Sequence, residues 1–565
     1  MYITNFPAHT VSVPDLSNCE AAARTETGWV CGARRRAVSG SEYASFLGVP
    51  YAKQPLGELR FKELLPAEPW DNIRDAKIEG PICPQTDVFY GGMKAANCSM
   101  SEACIHANIH VPIEALPDPK KPPSCGAKAA PGLPILVFIH GGGFAYGSGD
   151  TDLQGPEYLV SKGVIVITFN YRLNVFGFLS LNSTQVPGNA GLRDAVTLLR
   201  WVQRNAHFFG GSPGSVTLAG QSAGAAMTHI LTLSTSAHSL FHRAIILSGT
   251  AFSEFFSSSP QFAKTLNSLF LPLLGINATL PADEIHQKLI EAPIDEIMEA
   301  NKKFINSFAL TAFTPVVESH QPGITPILED DPEVLFDSGR GSHIPLLIGF
   351  TSAECESFRP RFEQIDIMAQ IEKTPELVVS PRLTFMSGDQ LPVLSELIHK
   401  KYLNGTPDLD SFLRLCRDQF YMYPALKLAS KSSGRAPVFM SRFSYSGVDS
   451  AWKKGLGLKF KGAGHGEDLT YIFRMNSVLG PLRADELTSS DDDAEMKNKM
   501  TDIVVNFMRH SNPMPGLLKV GRWQTAACRP PLYLEENGPR HLYPTRASTD
   551  EQEFFDHLYK IARQH

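Results

Sequence analysis

The stretch that decides the fold reads Val216-Thr217-Leu218-Ala219-Gly220-Gln221-Ser222-Ala223-Gly224. An apolar run typical of a buried strand leads into a sharp turn, and the small residues that follow suit a helix. Side chains two residues before and after Ser222 would collide with the neighbouring chain in such a turn, and glycines occupy both positions. The stretch therefore predicts that the Ser222 hydroxyl projects from the sheet edge and that the Ala223 N–H starts a helix, where it can bind an anion. A lone Gly-x-Ser-x-Gly pattern is also compatible with an ordinary tight turn.

A glycine-rich loop upstream supports the first interpretation. The apolar residues 135–139 run directly into His140-Gly141-Gly142-Gly143-Phe144. Three consecutive glycines can turn bare N–H groups toward a ligand, and this pattern forms the second half of an oxyanion hole beside a Gly-x-Ser-x-Gly turn. Together the two motifs indicate acyl-transfer chemistry at Ser222.

Short apolar segments along the chain predict the fold class. They lie at 135–139, 164–169, 216–219, 244–247, 345–350 and 438–441, with helical patterns between them. Strands that are apolar throughout are typical of a parallel sheet covered on both faces. The sequence therefore predicts an α/β fold in which a mostly parallel central β-sheet is flanked by helices. Apolar residues at helical spacing predict one helix packed on that sheet, and they are Met496, Met500, Ile503, Val504 and Phe507.

Composition argues against several classes of function. The chain has 565 residues, of which 43% are hydrophobic, and its net charge is −6. Mild acidity does not suit nucleic-acid binding, and no apolar run reaches the ~18 residues of a membrane span. The cysteines and histidines show no metal-ligand spacing, and no phosphate-binding or dinucleotide-binding glycine motif is present. We therefore expect an enzyme that needs no metal and no organic cofactor.

Ordered motifs along most of the chain resemble the type-B carboxylesterase and cholinesterase group of α/β-hydrolases. They include Phe46-Leu47-Gly48-Val49-Pro50-Tyr51-Ala52, Asn170-Tyr171-Arg172-Leu173, Leu347-Ile348-Gly349-Phe350-Thr351-Ser352-Ala353-Glu354 and Gly462-Ala463-Gly464-His465-Gly466-Glu467-Asp468. The likeness begins near Gly28 and continues almost to the C-terminus. It implies the α/β-hydrolase fold as one domain over 25–565, with an N-terminal extension at 1–24.

The resemblance implies a catalytic triad. In it, Ser222 is the nucleophile, His465 is the general base and then the acid, and Glu354 is the carboxylate that orients the imidazolium. Glu356 is a nearby rival for the last role. The motif register sets the carboxylate five residues after Gly349, which favours Glu354.

The same resemblance assigns the oxyanion hole to the N–H groups of Gly142, Gly143 and Ala223. The implied reaction is hydrolysis of a small hydrophobic carboxylic ester through an acyl-enzyme on Ser222. An alternative of another class is a neuroligin-like adhesion protein, which has this fold without the catalysis. The intact serine, glutamate, histidine and glycine loop favour the enzyme.

Further contacts are implied by the resemblance. Arg60 is expected to pair with Glu102, and Arg172 with Asp194, because both arginines lie in apolar surroundings where an unpaired charge is costly. A disulfide is expected between Cys83 and Cys104. The family's other bridges have no clear counterpart among the nine cysteines. Cys355, beside the predicted acid, is interpreted as a small buried hydrophobe.

Signals for cellular location are mixed. Four sequons, at Asn97, Asn182, Asn277 and Asn404, permit N-glycosylation. Residues 1–21 hold no apolar stretch of the kind that secretory signals carry. We expect a secreted protein, with a cytoplasmic one as the alternative, and the sequence makes no prediction of oligomeric state.

Departures from the family pattern bear on the substrate. No tryptophan lies between Cys83 and Cys104, where cholinesterases place the indole that binds choline, so a cholinesterase is not expected. Gln221 replaces the glutamate that most of the family has before the nucleophile, and this form resembles insect juvenile hormone esterases. Ala195 departs from that subgroup, which has glutamine there. The alternatives are a juvenile hormone esterase and a broader insect carboxylesterase that acts on odorant, pheromone or dietary esters.

Overall fold

The computed structural model describes residues 14–86, 99–119, 132–307, 312–404, 407–432, 436–447, 450–475, 490–515 and 531–563. Its strands are β1 Ala21–Arg24, β2 Trp29–Arg36, β3 Glu42–Pro50, β4 Arg74–Asp75, β5 His106–Pro112, β6 Leu133–Ile139, β7 Ile165–Phe169, β8 Gly211–Gln221, β9 Arg243–Leu247, β10 Leu346–Thr351, β11 Val438–Phe443, β12 Leu532–Glu536 and β13 Leu542–Arg546. They form a sheet in the order β1-β2-β3-β5-β7-β6-β8-β9-β10-β11-β12-β13, and β4 pairs with β2.

The centre of the sheet is parallel. Neighbouring strands pair in parallel along the order β7, β6, β8, β9, β10, β11 and β12. Pairing is antiparallel along β1, β2, β3, β5 and β7 on one side and between β12 and β13 on the other, and the short strand β4 pairs in parallel with β2. The six apolar segments predicted as buried strands coincide with β6 to β11, and two of them, 164–169 and 345–350, begin one residue before the observed strand. The predicted α/β fold with a mostly parallel central sheet is confirmed.

Helices cover both faces of this sheet. They are α1 Glu157–Val160, α2 Asn174–Phe178, α3 Ala190–Asn205, α4 Ala223–Leu233, α5 Pro260–Phe270, α6 Ala282–Glu291, α7 Ile294–Asn306, α8 Pro332–Asp337, α9 Arg359–Gln364, α10 Ile367–Lys373, α11 Pro381–Ser387, α12 Leu391–Tyr402, α13 Leu409–Arg417, α14 Tyr423–Lys431, α15 Ala451–Leu456, α16 Asp491–His510 and α17 Thr549–Ala562.

Alternate residues of the central strand β6 face opposite cores. Phe138 belongs to the apolar cluster that contains Met500 and Phe507 of α16. Val137 belongs to the larger cluster on the other face, which contains Trp201 of α3. The predicted helix at 496–507 is therefore present and packs on the sheet. It begins after Ser490, whose side chain accepts from the N–H of Asp493 and so caps the helix.

Three disulfides tie segments together within the described residues. Strand β1 lies inside the predicted N-terminal extension, and Cys19 just before it is bonded to Cys31 of β2. The extension therefore contributes to the sheet. Cys83 is bonded to Cys104, the pairing that the resemblance implies.

The third disulfide joins Cys355 to Cys416. The interpretation of Cys355 as a small buried hydrophobe is right about its burial but wrong about its chemistry. The two cysteines are 61 residues apart and meet only because α13 packs against the segment that carries Glu354. No local pattern in the sequence signals such a pairing.

Both implied charge pairs are present, and both arginines are buried. The Arg60 guanidinium donates to both carboxylate oxygens of Glu102, at 2.7 and 2.5 Å. Arg172 donates to Asp194 in the same two-pronged way, at 2.9 and 2.6 Å, and its backbone N–H adds a third bond of 3.0 Å. These pairs connect segments distant in sequence.

Some predicted surface features can be located. Asn182 and Asn277 are exposed, as is Asn404, although the rest of its sequon lies outside the described residues. Asn97 and Cys98 of another sequon also lie outside them. No helix in the described ranges is long and apolar enough to cross a membrane.

Candidate active site

Ser222 occupies the turn between β8 and α4. Its φ of 58° and ψ of −124° are unusual for a residue with a side chain, and its N–H donates to the Leu247 carbonyl at 2.8 Å. A Cβ at Gly220 would lie 2.2 Å from the Gly224 carbonyl oxygen, and one at Gly224 would lie 2.1 Å from that of Ile139. The close backbone approach predicted from the sequence therefore requires both glycines.

The glycine loop follows β6 and turns beside Ser222. Gly142 and Gly143 have φ values of 108° and 60°, in the left-handed region that favours glycine. The N–H groups of Gly142, Gly143 and Ala223 have no acceptor among the described residues. Ala223 is also the first residue of α4, where the helix dipole favours an anion. These donors are free to bind an oxyanion.

His140 supports this loop from behind. Its ring stacks on Tyr171 with centroids 4.4 Å apart, and the Tyr171 hydroxyl donates to the His140 carbonyl at 2.9 Å. Burial lowers the pKa of His140 to about 4, so the ring is neutral at physiological pH. His140 therefore packs the loop without adding charge to it.

The predicted acid and base are in contact. Glu354 follows β10, His465 lies on the loop that follows α15, and His465 Nδ1 is 2.6 Å from Glu354 Oε2. The other carboxylate oxygen, Oε1, accepts from the Thr351 N–H at 2.7 Å. Both side chains are buried. The rival carboxylate, Glu356, points away and pairs with Arg359 at 2.9 Å.

Gln221 contacts the second ring nitrogen of His465. Its amide nitrogen, Nε2, is 3.1 Å from His465 Nε2, and both side chains are buried. Among the described residues, no hydrogen bond joins the Ser222 hydroxyl to His465. The structure therefore brings the predicted nucleophile, base and acid to one site, with the Gln221 amide on the nitrogen that would accept the serine proton.

Two aromatic rings pack against His465. Phe358 and Tyr421 have ring centroids 5.0 and 4.9 Å from the imidazole centroid. Tyr421 is brought there by a π-helical turn over residues 418–422, between α13 and α14. Such turns occur often at functional sites because the extra residue redirects side chains. These two contacts restrict the orientation of the imidazole.

Ser222, Gly142 and His465 line one pocket of about 60 Å³, together with Phe255 and Trp452. Its walls are mainly apolar side chains and loop backbone. No cluster of three or more His, Cys, Asp or Glu side chains suited to a metal ion occurs in the described ranges. The arrangement suits nucleophilic attack on a neutral carbonyl compound in a water-poor setting.

Sequence reasoning missed several of these contributors. Nothing in the local pattern around Tyr421, Phe358 or Trp452 distinguishes them from core aromatics. Cys416 carried only the general signal of an odd cysteine count. Gln221 did carry a signal, its position before the serine, although its contact with His465 depends on a loop 244 residues away.

The chain is similar to known carboxylesterases along most of its length. The carboxylesterase family model matches residues 20–554. The juvenile hormone esterase of Heliothis virescens is 55% identical over 502 residues, which cover 88% of this chain and 87% of that protein. The acetylcholinesterase of Bungarus fasciatus is 29% identical over 542 residues, which cover 92% of this chain and 83% of that protein.

A solved structure extends the likeness to three dimensions. The crystal structure of juvenile hormone esterase from Manduca sexta, with OTFP covalently attached, has a TM-score of 0.89 and 53% identity to this chain. The match covers 96% of this chain and 100% of that one. The chain belongs to the carboxylesterase family and is a serine hydrolase of carboxylic esters.

Proposed function

We propose that this enzyme hydrolyses juvenile hormone or a closely similar long, hydrophobic ester, with Ser222 as nucleophile, His465 as general base and Glu354 as its carboxylate partner. The observation that carries the proposal is the 2.6 Å contact between His465 Nδ1 and Glu354 Oε2 beside the Ser222 turn. Two relatives that are 55% and 53% identical to this chain are named as juvenile hormone esterases, which supports the choice of substrate.

The reaction follows from the roles of these groups. As the Ser222 oxygen bonds to the ester carbonyl carbon, its proton passes to His465 Nε2, and the carbonyl π electrons move onto the oxygen. The N–H groups of Gly142, Gly143 and Ala223 stabilise that oxyanion, each by roughly 3 kcal/mol. The alcohol leaves with the proton from His465, and a water molecule then repeats the sequence on the acyl-enzyme.

A long hydrophobic substrate is supported by a second cavity. It has a volume of about 1080 Å³ and shares Phe255 with the small pocket at Ser222. Much of its wall is apolar, including Phe362, Phe412 and Leu415. An extended apolar chain that passes Phe255 would remove a large apolar area from water, which favours binding by roughly 25 cal/mol per Å².

The setting of the enzyme is part of the proposal. We treat residues 25–565 as one catalytic domain, because a single sheet takes strands from both ends of that range. Secretion is supported by three disulfides, which persist in oxidising compartments. The exposed sequons at Asn182 and Asn277 fit the same setting.

Two measurements test this function. A fluorophosphonate probe should label the wild type at one site and should not label Ser222→Ala, with both proteins folded by circular dichroism. The kcat/KM for juvenile hormone should exceed that for short-chain acetates and for odorant acetates. A wild type that never labels would refute the assigned nucleophile, and a preference for short acetates would refute the substrate.

A further inference from the structure

The contact between Gln221 and His465 has a defined direction. The Glu354 carboxylate can only accept a hydrogen bond, so His465 Nδ1 carries the hydrogen that lies between them at 2.6 Å. In the neutral ring, Nε2 is then an acceptor with one lone pair. The Gln221 amide nitrogen, 3.1 Å away, is a donor and fits that lone pair.

The other end of the amide is also confined. A Cβ at Gly141 would lie 2.7 Å from Gln221 Oε1, and one at Gly466 would lie 3.7 Å from Gln221 Nε2. The amide therefore lies between the glycine loop and the loop that carries His465 and Gly466. Its carbonyl oxygen rests against a position where only glycine leaves room.

This arrangement has a chemical consequence for the reaction. A lone pair that holds the amide N–H cannot at the same time receive the proton of Ser222. After proton transfer the ring is an imidazolium whose Nε2–H is directed at the oxygen of the departing alcohol, and the positive ring repels an amide N–H placed beside that nitrogen. Rotation of the amide by half a turn exchanges its nitrogen for its oxygen, which the positive ring attracts and which is a second acceptor beside the alcohol oxygen.

We propose that Gln221 is a positioning residue that acts through His465, its amide N–H holding the neutral ring in the free enzyme and its amide oxygen holding the imidazolium formed during the reaction. The proposal rests on the roles proposed above for Ser222 and His465. A glutamate at this position could serve only the second state, because a carboxylate has no N–H to donate.

Other charged or titratable groups near His465 are identified by the structure. Glu354 binds Nδ1, the Tyr421 ring packs on the imidazole, and His140 lines the same pocket in neutral form. On the loop that carries His465, burial and then the charge of Glu354 raise the pKa of Asp468 to about 7. Glu467 is occupied by Ser450 and the Gly464 N–H. A substitution at Gln221 alone leaves all of these side chains in the sequence.

Two variants of similar size test the proposal. In Gln221→Glu, a carboxylate beside Nε2 favours the imidazolium, so the acidic limb of the kcat/KM profile should move to higher pH by about one unit or more. In Gln221→Met, the ring loses both partners without a change of charge. Its kcat should fall about tenfold or more at the pH plateau, with KM within about twofold of the wild type.

The outcomes separate this inference from the proposed function. Fluorophosphonate labelling of the wild type and its loss in Ser222→Ala establish the nucleophile whatever happens at Gln221. If labelling is normal but Gln221→Glu has a pH profile superimposable on that of the wild type, or Gln221→Met keeps its kcat, the positioning role is overturned. The Met variant carries no added charge, so it tests the role even where Gln221→Glu does not fold.

Discussion

The disulfide between Cys355 and Cys416 should matter for catalysis as well as stability. Cys355 directly follows Glu354, and Cys416 lies in α13, which leads into the π-helical turn that carries Tyr421. One covalent bond thus joins the segment that holds the acid to the segment that packs against the imidazole. The test is the double variant Cys355→Ala/Cys416→Ala, with Cys19→Ala/Cys31→Ala as a matched control.

The expected loss of stability follows from the loop that each bond closes. A separation of 61 residues gives about 4 kcal/mol in the chain-entropy treatment, whereas the 12-residue separation of Cys19 and Cys31 gives about 3 kcal/mol. The free energy of unfolding, measured by urea titration, should therefore fall more in Cys355→Ala/Cys416→Ala than in Cys19→Ala/Cys31→Ala. The two variants should therefore differ by only about 1 kcal/mol in stability.

Activity should separate the two variants much more strongly. A displacement of about 1 Å in a catalytic group can reduce the rate by about 100-fold, and Cys355 is the residue next to Glu354. We expect kcat to fall about tenfold or more without the Cys355–Cys416 bond and to change less than about twofold without the Cys19–Cys31 bond. Equal kcat values for the two folded variants would refute the idea that this bond positions the site.

Two further predictions concern buried charge. Arg172→Met should lower the free energy of unfolding by about 3–5 kcal/mol, because it leaves the fully buried Asp194 without its guanidinium partner. The control, Arg204→Met, breaks an exposed pair with Glu26 and should lower it by less than about 1 kcal/mol. Urea titrations of both variants check this, and equal losses would contradict it. Burial, with smaller contributions from Asp468 and Glu535, raises the pKa of Glu536 to about 8. The folded protein therefore keeps a proton on Glu536 that the unfolded chain releases near pH 4.3. The free energy of unfolding falls as the pH rises between these two values. Glu536→Gln removes this titration. From about pH 5 to pH 7 the free energy of unfolding of the variant, relative to that of the wild type, should therefore rise by about 1.4 kcal/mol per pH unit. A difference between the two proteins that stays constant over this pH range in urea titrations would contradict the prediction.

The parts of this site that could be predicted are those in which local geometry restricts the residue type. Gly220 and Gly224 are required by backbone contacts within one turn, so the sequence itself reveals them. Six apolar segments predicted the central strands, because a strand that is buried on both faces of the sheet has few polar residues. The pairing of Glu354 with His465 came only through the resemblance to a family, because no spacing rule connects residues 111 positions apart.

The parts that could not be predicted depend on contacts between distant segments. Cys416 meets Cys355 because α13 packs against the segment that carries Glu354, and the number of cysteines does not show which cysteine pairs with which. Tyr421 reaches the imidazole because one turn of helix widens to the π form, which changes the face that each later side chain presents. The amide of Gln221 meets His465 only after the sheet has formed. Each of these residues looks ordinary in the linear sequence.

The neutral side chain at position 221 is consistent with the rest of the site. Burial, and after it the negative charge of the buried Glu354, raises the pKa of Asp468 to about 7. A further carboxylate at 221 would lie in the same buried region, where each added negative charge makes the others harder to hold. It would also stabilise the imidazolium and so weaken His465 as a base near neutral pH. A substrate without charge gives no compensating attraction for an anion here. An amide that can serve both protonation states of the histidine therefore suits a hydrophobic ester better than a carboxylate does.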